Sequence, residues 1–268
     1  MKTIAVLGAG ALAKIVVRAV AERFPHDYQV AAVAARTAAH AEALAAEVGA
    51  AAETDAEGLL RHRPDLVIEL AGGGALKAEA LRILEGGADL VAVSVGAFAD
   101  RAFLSEVEAA AKRLGRRVYI PNGAVGGLDL LQTYAMMPGA ALEIENVKAP
   151  KSLAGAPGLE GRVLRTEGPD EVVFEGGVAD AIAGFPKNVN VAVAASLAAG
   201  VGEAAKVRVV SRPGAAESVH RVRVSNAQMH AELSIASKPD PANPRSSTST
   251  AWSVVALLKQ MASSVVFF

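Results

Sequence analysis

Apolar and polar positions alternate between two textures over the first 120 residues. Short, nearly unbroken apolar runs read as buried strands: Lys2 to Leu7, Val30 to Ala34, Asp65 to Leu70, Leu90 to Val95 and Arg117 to Ile120. Between them the apolar positions recur with helical spacing. Ile15, Val16, Ala19 and Val20 mark a helix reaching Phe24, and Ala38 to Val48 a second. A third runs from Gly72-Gly73-Gly74 to Glu85, and a fourth from an Asp100 cap to Leu114. Strands alternating with helices predict right-handed crossovers and a parallel sheet covered on both faces.

After Leu128 the pattern changes. Leu142 to Ala149, Arg162 to Thr166 and Glu171 to Phe174 read as strands, and Val178 to Ala183 and Asn188 to Ala199 as helices. Val207 to Ser211, Glu217 to Ser225 and Gln228 to Ser237 follow as strongly alternating strands. Strands that neighbour one another in sequence predict an α+β unit with a mostly antiparallel sheet. Pro239, Pro241 and Pro244 punctuate its exit. A final helix over 246–268 offers Trp252, Val255, Ala256 and Leu258 for packing back on the first half.

The first strand ends in Gly8-Ala9-Gly10-Ala11-Leu12-Ala13, a Gly-x-Gly-x-x-Ala turn that opens a helix. Gly8 permits the tight turn, Gly10 lets backbone approach a pyrophosphate, and Ala13 allows close helix–strand packing. The N–H groups at the helix start, around Ala11 and Leu12, are free to meet a phosphate. The expected fold is therefore α/β. An N-terminal Rossmann-type parallel-sheet domain spans 1–121, with 246–268 returning to it, and an α+β domain with a mostly antiparallel sheet spans 122–245. Two other meanings of the window remain open: a plain glycine turn, or a signal peptide mimicked by Lys2, the apolar run and Ala11-Leu12-Ala13. Lys14 and Arg18, just past the supposed cleavage point, and the helical pattern running through it oppose the second.

Strand two ends in Ala34-Ala35-Arg36-Thr37, without the carboxylate that usually holds the ribose hydroxyls of NAD. Arg36 is placed to accommodate a 2′-phosphate, so NADP is expected to be accepted. A solvated surface arginine is the alternative.

Composition narrows the class. The 268 residues carry a net charge of −1 and no run of basic residues, which argues against a phosphate-tracking nucleic-acid surface. With no cysteine there is no disulfide, thiolate metal site or cysteine nucleophile. No apolar run is long and uncharged enough to span a bilayer, so a soluble cytoplasmic protein without membrane or nucleic-acid partners is expected. Neither a His-x-x-x-His pair nor a clustered carboxylate loop suggests a metal site.

Five histidines are candidates for proton transfer. His26, His40 and His62 fall at apparently solvated positions of the first half. In the second half, alternation puts His220 on a strand face with Val222 and Val224, with Arg221 and Arg223 opposite. His230 instead sits with Gln228 and Glu232. His220 is thus the inward-facing histidine and the candidate general base, for which a pKa near neutral is expected. A satisfied structural histidine is the competing possibility. Asn190, in Phe185-Pro186-Lys187-Asn188-Val189-Asn190, offers an amide to a carboxamide or carboxylate, or is part of a helix cap. The glycines of Asn122-Gly123-Ala124-Val125-Gly126-Gly127 follow the last parallel strand, at the edge where ligands of such sheets bind. Lys148, Lys151, Lys187 and Arg245 are cations available to an acidic substrate.

Three segments together carry a resemblance: Ser94 to Asp100, Pro121 to Asp129, and Phe185 to Ala192. With His220 and the closing stretch Asp240 to Ser247, they resemble the L-aspartate dehydrogenase family over nearly the whole chain. The resemblance implies a homodimer that oxidises L-aspartate with NAD or NADP to iminoaspartate, which feeds NAD biosynthesis or hydrolyses to oxaloacetate and ammonia. It further implies that 122–245 serves catalysis and dimerisation, that His220 is the catalytic histidine, and that Ala124 and Asn190 contact the cofactor. Lys187 and Asn243 to Ser247 match recurring segments with no assigned role. Ala13 replaces a third glycine, Asn122 stands where the family often has a smaller residue, and the missing acid after strand two departs from strict NAD preference. A related amino-acid dehydrogenase or imine reductase, or a catalytically silent dinucleotide-binding protein, are the alternatives.

Overall fold

Strand β1 (Lys2–Leu7) is the axis of the first sheet, and its residues Ile4 to Leu7 are all buried. Burial of consecutive residues means both faces are covered, as the unbroken apolar run requires. The computed structural model describes residues 1–186, 190–200, 205–238 and 247–267. These divide into two units, Met1–Gly123 with Thr248–Phe268, and Ala124–Ser247.

In the first unit β1 is followed by α1 (Ala11–Arg23), β2 (Tyr28–Ala34), α2 (Ala38–Ala46), β3 (Ala51–Glu53) and α3 (Ala56–Arg61). Then come β4 (Leu66–Glu69), α4 (Gly73–Glu85), β5 (Asp89–Ala92), α5 (Arg101–Leu114) and β6 (Val118–Tyr119). The sheet order is β3-β2-β1-β4-β5-β6, with every pairing parallel. β1 therefore lies at the point where the order reverses, between β2 and β4, and ligands of such sheets bind at that crevice. Asp100 caps α5 by accepting from Phe103 N at 3.2 Å, and Gly115 ends it in a left-handed conformation at φ 64°.

Three expectations are corrected here. The fifth strand stops at Ala92 rather than Val95, because a 3₁₀ turn takes over at Val95–Ala99. β3 and α3 were not expected from periodicity: one has three residues and the other six, too short to show a period. Asp55 nevertheless marks the start of α3 by accepting from Gly58 N at 2.8 Å.

Helix α10 (Thr248–Ala262) also belongs to the first unit. Ala251, Val254, Val255 and Leu258 enter the core of α1 and β1, and the buried Tyr28 hydroxyl donates to Leu258 O at 2.8 Å. Burial pushes that phenol up to about 12. Trp252 and Ala256 lie one position off this i, i+3, i+4, i+7 stripe and are exposed, contrary to their expected packing. The Trp252 ring is covered instead by the Arg23 guanidinium, 4.8 Å away.

The second unit contains α6 (Leu128–Ala135), β7 (Ala141–Lys148), α7 (Pro150–Leu153), β8 (Glu171–Gly177), α8 (Val178–Gly184), α9 (Asn190–Ala199), β9 (Lys206–Ser211), β10 (Ser218–Ser225) and β11 (His230–Ser237). Its sheet runs β11-β10-β7-β9-β8, antiparallel except for the β7–β9 pair. Leu142, Ile144, Val207, Val209, Val222 and Val224 share one face and pack with α6 and α9 residues in one core. Arg162 to Thr166 is not a strand: Leu164 alone turns into the core, Val163 is 92% exposed, and Arg162 and Arg165 both reach Glu171. A segment with one buried side chain has too little apolar area to hold a place in the sheet.

Candidate functional site

In the first unit, Gly8 adopts φ 119°, and a Cβ there would lie 2.7 Å from the backbone carbonyl of Leu70. Glycine is required on both counts. Gly10 caps α1 without any side-chain bond, and the space its Cβ would take is empty. The 13-residue helix α1 has no acidic residue in its first turn. An open, donor-rich helix start beside the sheet crevice fits a dinucleotide pyrophosphate held by the backbone around Gly10, Ala11 and Leu12.

Arg36 lies just beyond β2, exposed and without a bonded partner among the described residues. The acid nearest it in register, Glu53, pairs with Ala34 across the β2–β3 ladder. Its carboxylate is already taken by Arg61 and His62, both at 2.8 Å, which hold it below the usual carboxylate range. The acid paired with the end of β2 is therefore not free, and His62 is a bonded residue rather than a freely solvated one.

Glu69, at the end of β4, was not singled out by its sequence context. It is fully buried and accepts from Ala71 N, Gly72 N, Ser94 N and Ser94 Oγ at 2.8–3.0 Å. Burial raises its pKa, opposed by these four bonds. The carboxyl ties the loops after β4 and β5 together at the ligand-binding edge of the sheet. Its sequence signal was an acid closing an apolar run, Leu66-Val67-Ile68-Glu69.

In the second unit His220 is 6% exposed on β10, sharing its face with Val222 and Val224. Directly opposite on β7 stands Asn146, fully buried, with Oδ1 2.6 Å from His220 Nδ1. Since a carbonyl oxygen only accepts, Nδ1 carries the ring proton and Nε2 presents its lone pair. Burial first, and the charge of Lys148 second, push the imidazole down to about 4. This departs from the near-neutral value expected of a base, because burial and the Lys148 charge both disfavour the imidazolium. Asn146 could have been found by extending to β7 the alternation applied to β10.

The same shift has a stability consequence. His220 titrates near 6.5 ordinarily and at about 4 here, so the unfolded chain binds the proton more readily. Its contribution is intact above about 6.5 and is lost as pH falls towards 4. Between pH 7 and about 4.5 this amounts to roughly 2 kcal/mol. A His220→Gln variant is expected to lose correspondingly less stability than the parent over that interval in denaturant unfolding.

The remaining candidates are more dispersed. Ala124 packs against the core of the second unit, and Asn190 is exposed at the start of α9. Gly126 and Gly127 are occupied by internal packing rather than held open: their Cβ positions face Ile235 at 3.7 Å and Leu233 at 2.6 Å. Lys151 is exposed on α7, and His230 is exposed on β11. Lys187 to Val189 and 239–246, including Asn243 and Arg245, lie outside the described residues. Among the described residues no group of three or more His, Asp or Glu gathers to hold a metal, and no helix is long and apolar enough to cross a membrane.

A parallel sheet with a glycine turn at its reversal point, and a second α+β unit carrying an ordered, buried histidine, define the two-unit dinucleotide-dependent dehydrogenase class. Residues 8–121 match the family described as homoserine dehydrogenase, NAD binding domain, and residues 129–261 the family described as aspartate dehydrogenase, C-terminal. The chain is 32% identical to an L-aspartate dehydrogenase of Methanococcus maripaludis, over 99% of this chain and 98% of that one. It is 36% identical to L-aspartate dehydrogenase 2 of Bordetella bronchiseptica over 96% of each. The crystal structure of aspartate dehydrogenase from Thermotoga maritima superposes with a TM-score of 0.76 at 27% identity, covering both chains fully. The chain belongs to the L-aspartate dehydrogenase family.

Proposed function

We propose that this protein is an NAD(P)-dependent L-aspartate dehydrogenase, with His220 as its acid–base residue. The observation that carries the proposal is the buried imidazole whose Nδ1 is fixed by Asn146 and whose Nε2 has no partner among the described residues. Family membership supports the substrate. A bound nicotinamide ring supplies a hydride acceptor at C4. Before the α-carbon of L-aspartate can release hydride, its ammonium must lose a proton, and Nε2 accepts it. Loss of that proton and of a hydride leaves iminoaspartate. After Nε2 releases that proton to solvent, it takes one from the water that adds to the imine and returns it to the nitrogen as the carbinolamine collapses, giving oxaloacetate and ammonia. The reverse sequence is reductive amination.

The depressed pKa suits this role once substrate is considered. An empty site keeps the ring neutral and able to accept a proton. The two carboxylates of L-aspartate offset the Lys148 charge and stabilise the imidazolium, so proton affinity rises when substrate binds. The basic form is thus ready before binding, and its strength appears with the substrate.

Absorbance at the reduced-nicotinamide band, with L-aspartate and either NAD or NADP, tests the proposal. Reduction with L-aspartate, absent with D-aspartate and L-glutamate, supports it. Silence in that direction and with oxaloacetate plus ammonium overturns it, in favour of a related amino-acid or imine substrate or a silent binding protein. The absence of a free acid beside β2 supports use of NADP. Arg36→Gln is expected to raise KM for NADP by about tenfold or more while leaving KM for NAD within about twofold, reflecting one lost charge-assisted contact. Equal effects on both cofactors would remove the arginine from 2′-phosphate recognition.

A further inference from the structure

Lys148 ends β7, two residues after Asn146, and so shares the face that carries His220. Across the β7–β9 ladder its partner is Ser211, on that same face and only 1% exposed. Three polar groups here lack partners. The Ser211 hydroxyl and the Asn146 Nδ2 amide are buried without a hydrogen bond, and the Lys148 ammonium has neither a hydrogen bond nor an ion pair among the described residues. Desolvation alone lowers the Lys148 pKa, with no carboxylate offsetting it. Buried donors left unpaired are costly, and a half-buried lysine ordinarily finds an acid. All three are donors, and the set lacks one thing: an anion.

We infer that Lys148, with Ser211 Oγ and Asn146 Nδ2, forms the subsite for a carboxylate of the substrate. The inference rests on the dehydrogenase activity proposed above for the identity of the substrate, whereas the donor set itself is a property of the second unit. A carboxylate has lone pairs for all three donors, and its charge would restore Lys148 towards its ordinary pKa. Aspartate carries two such groups. An α-carboxylate here places every amino acid alike, whereas a β-carboxylate here selects aspartate over its amide.

Lys148→Met tests this in the whole protein, because methionine keeps the stem and removes the charge. The expected result is a rise of roughly 30-fold or more in KM for L-aspartate, with KM for the nucleotide unchanged. Thermal stability should stay equal or rise, since an uncompensated cation is removed; a residue held only for structure would show a fall in stability and no KM effect. Lys148→Arg should recover part of the loss. Comparing L-aspartate with L-asparagine separates the sources: an equal penalty for both places the α-carboxylate here, and a penalty confined to aspartate places the β-carboxylate. Unchanged aspartate KM in Lys148→Met, with wild-type turnover intact, overturns the subsite alone. Should the parent protein fail to turn over aspartate, succinate binding by calorimetry decides the subsite separately. Binding that is lost in Lys148→Met supports it, and binding that is absent or unaffected overturns it.

Discussion

Replacing His220 with alanine is expected to lower kcat for L-aspartate by about a thousandfold, the scale of losing a positioned general base. Nucleotide affinity should remain within about twofold, because the substitution leaves the glycine turn at Gly8 and Gly10 unchanged. The variant should fold: the histidine is one buried polar residue at the end of an apolar face, and its removal leaves Asn146 Oδ1 without a donor, a cost of about 1–3 kcal/mol. Steady-state kinetics and nucleotide titration on the same preparation separate the two effects. Asn146→Ala is the informative companion, since it frees the ring to adopt either tautomer without removing it. A His220→Ala variant retaining near wild-type turnover would end its role as base.

Gly8→Ala is the second large effect, and it acts on folding as well as binding. The substitution forces a side chain into φ 119° and sets its Cβ 2.7 Å from the carbonyl carbon and oxygen of Leu70. Backbone cannot move aside as a flexible side chain can, because Leu70 N donates to Leu7 O and Gly8 N to Ala34 O, both at 2.7 Å. A destabilisation of about 2–4 kcal/mol is expected from strain and overlap together. Dinucleotide binding should be lost wherever the variant remains folded. Gly10→Ala makes the contrast, since open space surrounds its Cβ and its φ of −79° is ordinary. It should leave stability nearly unchanged and weaken nucleotide binding only. If both variants bound the nucleotide as the parent does, the turn would be a plain chain reversal.

The two sites these experiments probe are legible in the sequence. Gly8 and Gly10 stood out because a tight strand-to-helix turn has few sequence solutions, and their order in the chain is their order in space. His220 was picked out by period-two alternation, a local property of the strand geometry. Helices α1, α2, α4 and α5 follow from helical periodicity, and strands β1, β2, β4 and β5 from apolar runs, over segments long enough to show either. Arg162 to Thr166 shows where that reasoning fails: alternation over five residues resembled a strand, but Val163 had nothing to cover it. Trp252 fails for the opposite reason, because large apolar character does not say which helix face turns inward.

By itself, then, the sequence determined the class of fold, the strand-to-helix glycine turn, the absence of an acid after the second strand, and the identity of the inward histidine. Each is local, set by backbone geometry within a few residues. Only the tertiary structure decided how these residues act. Asn146 and His220 are 74 positions apart and meet through an antiparallel register that pairs one residue with one other. That pairing fixes the proton on Nδ1. Burial and Lys148 then set a pKa of about 4 where an isolated histidine titrates near 6.5. Ionisation depends on which charges and dipoles surround a group, and those come together only when distant strands form one face.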